Sequence, residues 1–132
     1  MREILFRGKR KDNGEWVEGR LLADDVIVPC GQDFILEANC LYAGDKPIIG
    51  YKVYKKTVGQ FTGLPDKNRK KIFEGDILKT SNSNCCIWYV DYKNSAFCAN
   101  QANANYACEL SEFISTEEVE VIGNIHDNPE LL

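Results

Sequence analysis

A chain of 132 residues and 15.0 kDa is the size of one domain, and 44% hydrophobic content is enough for a real core. Its net charge of −4 and pI near 5.0 argue against a general nucleic-acid binder. No apolar stretch approaches the roughly 20 residues that cross a bilayer, and no basic-then-apolar leader opens the chain, so a soluble cytosolic protein with no membrane partner is expected.

Ile4 and Phe6 on one side and Trp16, Glu18 and Arg20 on the other flank Lys11-Asp12-Asn13-Gly14. Asn-Gly is the strongest short-range hairpin signal, so residues 2–9 and 15–22 are predicted to pair as antiparallel strands. Val26, Ile27 and Val28 form a short strand closed by Pro29, and Phe34-Ile35-Leu36 reads as another. Residues 38–47 read as a loop with Gly44, Asp45 and Pro47 as breakers. Ile48 to Phe61 reads as one long β stretch, bent at Gly50 and Gly59 and joining two halves of the chain.

The segment from Thr62 to Leu78 organises the pattern. Gly63 and Pro65 punctuate a turn that stops the strand, since proline pushes Leu64 out of the helical region. Asp66 and Asn68 are placed to bond backbone amides two residues on, and Lys67, Arg69, Lys70 and Lys71 keep the loop solvated. Ile72 and Phe73 then lead into a second tight turn, Glu74-Gly75-Asp76, which enters a strand at Ile77.

Ile77–Thr80 is a predicted strand, followed by the polar turn Ser81-Asn82-Ser83-Asn84. Cys85–Tyr92 is apolar on both faces, which fits a strand covered on both sides, and Ser95–Cys98 would pair with it. Asn100–Asn105 reads as a polar loop. Leu110, Phe113 and Ile114 stand at helical spacing, so one short helical turn is expected there. Val119, Val121 and Ile122 to Ile125 form the last strand, with Glu118 and Glu120 outward, and Asn128-Pro129 ends it.

Charge is unevenly spread. Residues 1–108 hold all 16 basic and 13 acidic side chains, whereas residues 109–132 hold seven acidic and none basic. The apolar face of the last strand needs burial, so this acidic end is expected to dock, with Glu118 and Glu120 facing basic turns of the same chain or of a neighbour that pairs with an open edge. Many short strands with frequent turns predict a mostly β fold with little helix: an N-terminal antiparallel sheet over residues 1–61 and a small Src-homology-type barrel over 62–132.

Two blocks are similar to a known family. Thr62-Gly63-Leu64-Pro65-Asp66-Lys67-Asn68 with Ile72-Phe73-Glu74-Gly75-Asp76-Ile77 resembles the central signature of YopX-like proteins of bacteriophages and prophages. Val121-Ile122-Gly123-Asn124-Ile125-His126-Asp127-Asn128-Pro129 resembles their closing motif, and Met1 to Arg7 fits their start. Arg69 stands where that family usually has glycine, and His126 where it usually has an aromatic residue. The resemblance implies a mostly β protein of phage genomes and brings no biochemical activity with it.

Candidate chemistry is sparse. None of the six cysteines, Cys30, Cys40, Cys85, Cys86, Cys98 and Cys108, has the two-to-four-residue spacing of a zinc site, and a cytosolic chain keeps them reduced. His126 beside Asp127 lacks a nucleophile context, and adjacent strand residues diverge. Glu74 and Asp76 flanking Gly75 fit a turn better than a catalytic pair. Thr62, Gly63, Leu64, Pro65, Asp66, Asn68, Glu74, Gly75, Asp76, Gly123, Asn124, Asn128 and Pro129 therefore read as structural motif residues. The basic run Lys67, Arg69, Lys70 and Lys71 is the candidate interaction site, and Tyr51, Tyr54 and Phe61 are aromatics either of the core or of an interface. The expected function is a non-enzymatic phage accessory protein of the host cytoplasm that binds an unknown protein partner or a second copy of itself, with no cofactor or metal. The alternative is a small enzyme or nucleic-acid-associated factor using a cleft between the two halves.

Overall fold

The computed structural model describes residues 4–29, 40–43, 46–81 and 87–132, with the backbone alone at 40–43 and 46–49. The chain divides into two compact units, Met1–Gln60 and Phe61–Leu132.

In the first unit, β1 (Phe6–Lys9) and β2 (Trp16–Ala23) pair antiparallel in the register Phe6↔Gly19 to Lys9↔Trp16. The Asn-Gly signal is what closes this hairpin: Gly14 takes φ +73° and its amide donates to the Arg10 carbonyl. β3 (Val26–Pro29) pairs with β2, and β6 (Tyr51–Lys52) pairs with β3, giving the order β6-β3-β2-β1. Phe6 and Arg7 also pair with Gln60 and Gly59, the first residues of β7 (Gly59–Pro65). Leu5, Val26, Ile27, Val28, Tyr51 and Val53 are the buried apolar residues of this unit.

Two expectations change here. Within the loop expected over residues 38–47, β4 (Cys40–Ala43) pairs antiparallel with β5 (Lys46–Ile49). The stretch from Ile48 to Phe61 is interrupted by a 3-10 turn at Lys55–Thr57. Thr57 explains the interruption, because its hydroxyl donates to the Tyr54 carbonyl at 2.6 Å and accepts the Lys9 amide at 2.8 Å, bonds that a continuous strand could not make. Tyr51 is core, with the Arg10 guanidinium 3.8 Å above its ring, while Tyr54 stays exposed. The predicted strand Phe34–Leu36 lies outside the described residues.

In the second unit β7 does not stop at Gly63 and Pro65. It runs on to pair with β8 (Lys71–Phe73), and the register slips between Phe61 and Pro65 where Gly63 takes φ +86°. The turn residues make a bulge inside the strand, not its end. Thr62 locks the bulge by donating to the Ile72 carbonyl and accepting the Leu64 amide. Phe61 packs against Phe73 with ring centroids 5.6 Å apart, so it too is core.

The remaining strands, β9 (Asp76–Thr80), β10 (Ile87–Lys93), β11 (Ala96–Gln101), β12 (Ala107–Glu109) and β13 (Val119–Asn124), form an antiparallel sheet in the order β12-β11-β10-β9-β13. No closed barrel forms among the described residues, which replaces the Src-homology expectation with an open sheet. The helix α1 (Leu110–Thr116) buries Leu110 and Phe113 against Leu78, Trp88, Val90, Ala99 and Val119. Strand β11 extends through Asn100 and Gln101, which the sequence assigns to a loop. Asn100 is buried because its polar atoms are all employed: Oδ1 accepts from Lys93 Nζ at 2.6 Å, and Nδ2 donates to Asp91 Oδ1 at 2.8 Å and to the Tyr89 carbonyl. On β10 only the Trp88 and Val90 face is fully covered; Ile87 and Tyr89 are half-buried and Tyr92 is exposed.

Gly19 supplies the sharpest packing test. A Cβ there would sit 1.9 Å from the Val28 carbonyl oxygen of the paired strand, which is backbone and cannot swing aside. Gly19→Ala is expected to destabilise the protein by about 3 kcal/mol, read from chemical denaturation, as overpacking at a rigid neighbour does. Equal midpoints for the two proteins would show that β2 and β3 are not this close.

Candidate functional site

The loop at residues 66–70 is built on the Asp66 carboxylate. Asp66 is only 6% exposed, and its Oδ1 accepts the amides of Asn68 and Lys70, each at 2.8 Å. Oδ2 accepts the Val121 amide at 3.0 Å, and the Lys67 amide donates to the Val119 carbonyl. Burial pushes the Asp66 carboxyl up, but the amides of Val121, Lys70 and Asn68 and the charge of Lys70 outweigh it and hold the group below its usual range. These contacts occupy outward-facing backbone groups of β13. The open edge that was expected to pair with a neighbour is capped by the chain's own loop at Val119 and Val121.

The basic residues of this loop do not converge. Lys67 Nζ lies 3.9 Å from Glu120, an exposed pair that contributes little, and Lys71 reaches over the Phe61 ring at 6.0 Å. Arg69 and Lys70 are exposed. Arg69 holds φ +66°, a conformation that glycine adopts without strain.

The second motif closes on the first. Gly75, at φ +88°, donates its amide to the Val90 carbonyl and accepts the Ile125 amide, so one residue ties β10 to the end of β13. Asp76 Oδ2 accepts the Phe73 amide across the Glu74-Gly75 turn. Asn124 Oδ1 accepts the amides of His126 and Asp127, while Asn128 folds its side-chain carbonyl over Gly123 onto the Asn124 amide. Pro129 then opens a 3-10 turn. His126 is half-buried beside Gly75, placed by this turn.

A different region offers a concave surface. Trp88 from β10, Tyr106 and Cys108 at the start of β12, and Glu112, Phe113, Ser115, Thr116 and Glu117 from α1 and its C-cap line a cleft of about 490 Å³. Its apolar floor is a ring cluster: Trp88 packs on Phe113 at 4.4 Å between centroids, and Tyr106 meets Trp88 edge-on at 5.8 Å. The hydroxyls of Ser115 and Thr116 donate to carbonyls within the helix, which leaves the two carboxylates as its polar wall. Trp88 Nε1 and Glu117 Oε2 are buried without a hydrogen-bond partner. Burial, then the charge of Glu112, then Cys98 push the Cys108 thiol up, so it stays protonated and weakly nucleophilic at neutral pH.

No sequence pattern assembles this cleft. The helical spacing of Leu110, Phe113 and Ile114 signals α1, but strand pairing alone brings Trp88 beside Tyr106 and Phe113. Cys98 and Cys108 are free thiols; Cys30, Cys85 and Cys86 lie outside the described residues and Cys40 is described in its backbone alone.

Antiparallel sheets, one short helix laid on the second of them and an acidic aromatic cleft beside that helix define a β-rich protein with a small, preformed concave site. The chain belongs to the YopX protein family, whose pattern matches residues 5–132. It is similar to protein EF1440 from Enterococcus faecalis, known from a crystal structure, with 27% identity and a TM-score of 0.61 over 100% of this chain and 99% of that one. No functionally curated protein matches it. Among the described residues no helix is long and apolar enough to cross a membrane.

Asp66→Asn is expected to cost about 2 kcal/mol at neutral pH, because the new NH₂ group confronts an amide that needs an acceptor. Since the folded carboxyl sits below its unfolded value, its contribution is present above about pH 4 and is lost as pH falls through the folded pKa. The stability gap between wild type and variant should therefore narrow in acid, and a gap independent of pH would overturn this account. Arg69→Gly is expected to stabilise by up to about 1 kcal/mol by relieving positive φ, and a lowered melting temperature would show the opposite.

Proposed function

We propose that this chain is a non-enzymatic accessory protein carried by bacteriophage or prophage genomes, acting in the host cytoplasm as a protein-binding module. The cleft beside α1 is the observation that carries the reading. It pairs an aromatic floor with two carboxylates, and its thiol is held protonated, an arrangement suited to holding a ligand rather than transforming it. The signature residues Asp66, Gly75, Asp76, Asn124 and Asn128 spend their polar groups on backbone partners within the second unit, which supports a structural role for them. The scattered basic loop supports solvated charge more than a phosphate grip. A second copy of the chain is the alternative partner, through surfaces other than the capped part of β13.

Affinity capture with the full chain from host cells carrying the phage genome is the test, followed by reconstitution from purified components. A defined protein that forms a stoichiometric complex by light scattering and calorimetry is the expected result. A chain that binds no host, phage or self partner but turns over a small molecule would replace the reading with an enzymatic one.

A further inference from the structure

We propose that the cleft beside α1 receives an arginine side chain presented by an extended segment of the partner protein. This rests on the binding-module reading and names the chemistry of its site. Charge decides the first step. Glu112 and Glu117 stand in the lining with no basic residue, and the whole segment 109–132 carries seven acidic side chains and none basic. An anion is repelled there, and a ligand without a hydrogen-bond donor would leave the Glu117 oxygen buried and unpaired.

Shape decides the second step. Tyr106 is 57% exposed and stands edge-on to the buried Trp88, so a flat cation can lie along its ring while donating N–H pairs to the carboxylates. Guanidinium meets both demands, because it is planar and presents its donors in a fork, whereas an ammonium is a compact, strongly hydrated charge.

The buried polar atoms decide the third. Glu117 Oε2 needs a donor, but Trp88 Nε1, on a residue only 7% exposed, needs an acceptor. A guanidinium, a polyamine or a metal cation cannot accept a hydrogen bond. One arginine residue within a peptide carries both kinds of group, the side chain to donate and the neighbouring main-chain carbonyl to accept. The volume of about 490 Å³ suits a side chain with its adjoining peptide unit.

The probe is N-acetyl-Ala-Arg-Ala-amide, titrated into the ¹⁵N-labelled full chain, with Trp16→Phe telling the two indole signals apart. The Trp88 indole resonance is expected to shift saturably. Replacing the peptide's arginine by glutamine should weaken binding at least about tenfold, and its replacement by lysine should weaken it less. Glu112→Gln with Glu117→Gln in the protein should give the same loss at an unchanged melting temperature. Tyr106→Ala, at an exposed position, should also weaken binding and keeps the test open if the double variant misfolds. Equal binding of the arginine and glutamine peptides, an unmoved indole, or spermidine binding as tightly as the arginine peptide would each overturn the assignment. A captured partner held equally by wild type and double variant overturns the cleft and leaves the binding module standing. Saturable arginine-peptide binding with no protein partner captured does the reverse.

Discussion

The second unit depends on one buried carboxylate. Asp66 accepts amides from Asn68, Lys70 and Val121, so a single side chain folds its own loop and fastens that loop to β13. A buried carboxylate is costly unless its lone pairs are occupied, and three backbone donors are enough to make the ionised form the favoured one. Gly75 acts in parallel at the start of β9, with its amide on Val90 and its carbonyl on Ile125.

The cleft follows from the sheet so fixed. β9 takes β13 on one side and β10 on the other, which sets Trp88 in the layer on which Phe113 of α1 packs. The helix is too short to be stable alone, so its position is set by the burial of Leu110 and Phe113 rather than by propensity. Its remaining face carries Glu112 toward solvent, and its C-cap residue Glu117 lines the same cleft as Trp88. An acidic wall over an aromatic floor is thus a by-product of how the helix is anchored.

The capping of β13 also changes how the protein meets others. A bare edge strand invites pairing with any exposed strand. Asp66 and Lys67 take the Val121 amide and the Val119 carbonyl, so this part of the edge is satisfied within the chain.

The sequence by itself determined the β character, the Asn13-Gly14 hairpin, the second turn at Gly75, the family and the acidic end with its apolar face. Each of these is written in neighbouring residues, as turn chemistry, alternation or a contiguous motif. Tertiary structure alone decided where strands break and what they enclose. Gly63 and Pro65 read as a stop and are a bulge, because a slipped register to β8 offers Pro65 a partner in Lys71. Asn100 reads as loop and is buried strand, because Lys93 and Asp91 on the paired strand satisfy it. Tyr51 and Phe61 read equally as core or as interface, and their burial makes them core. The open sheet in place of a barrel, and the meeting of Trp88 with Tyr106, Phe113 and Glu117, depend on strand order, which couples residues far apart in the chain and leaves no local trace.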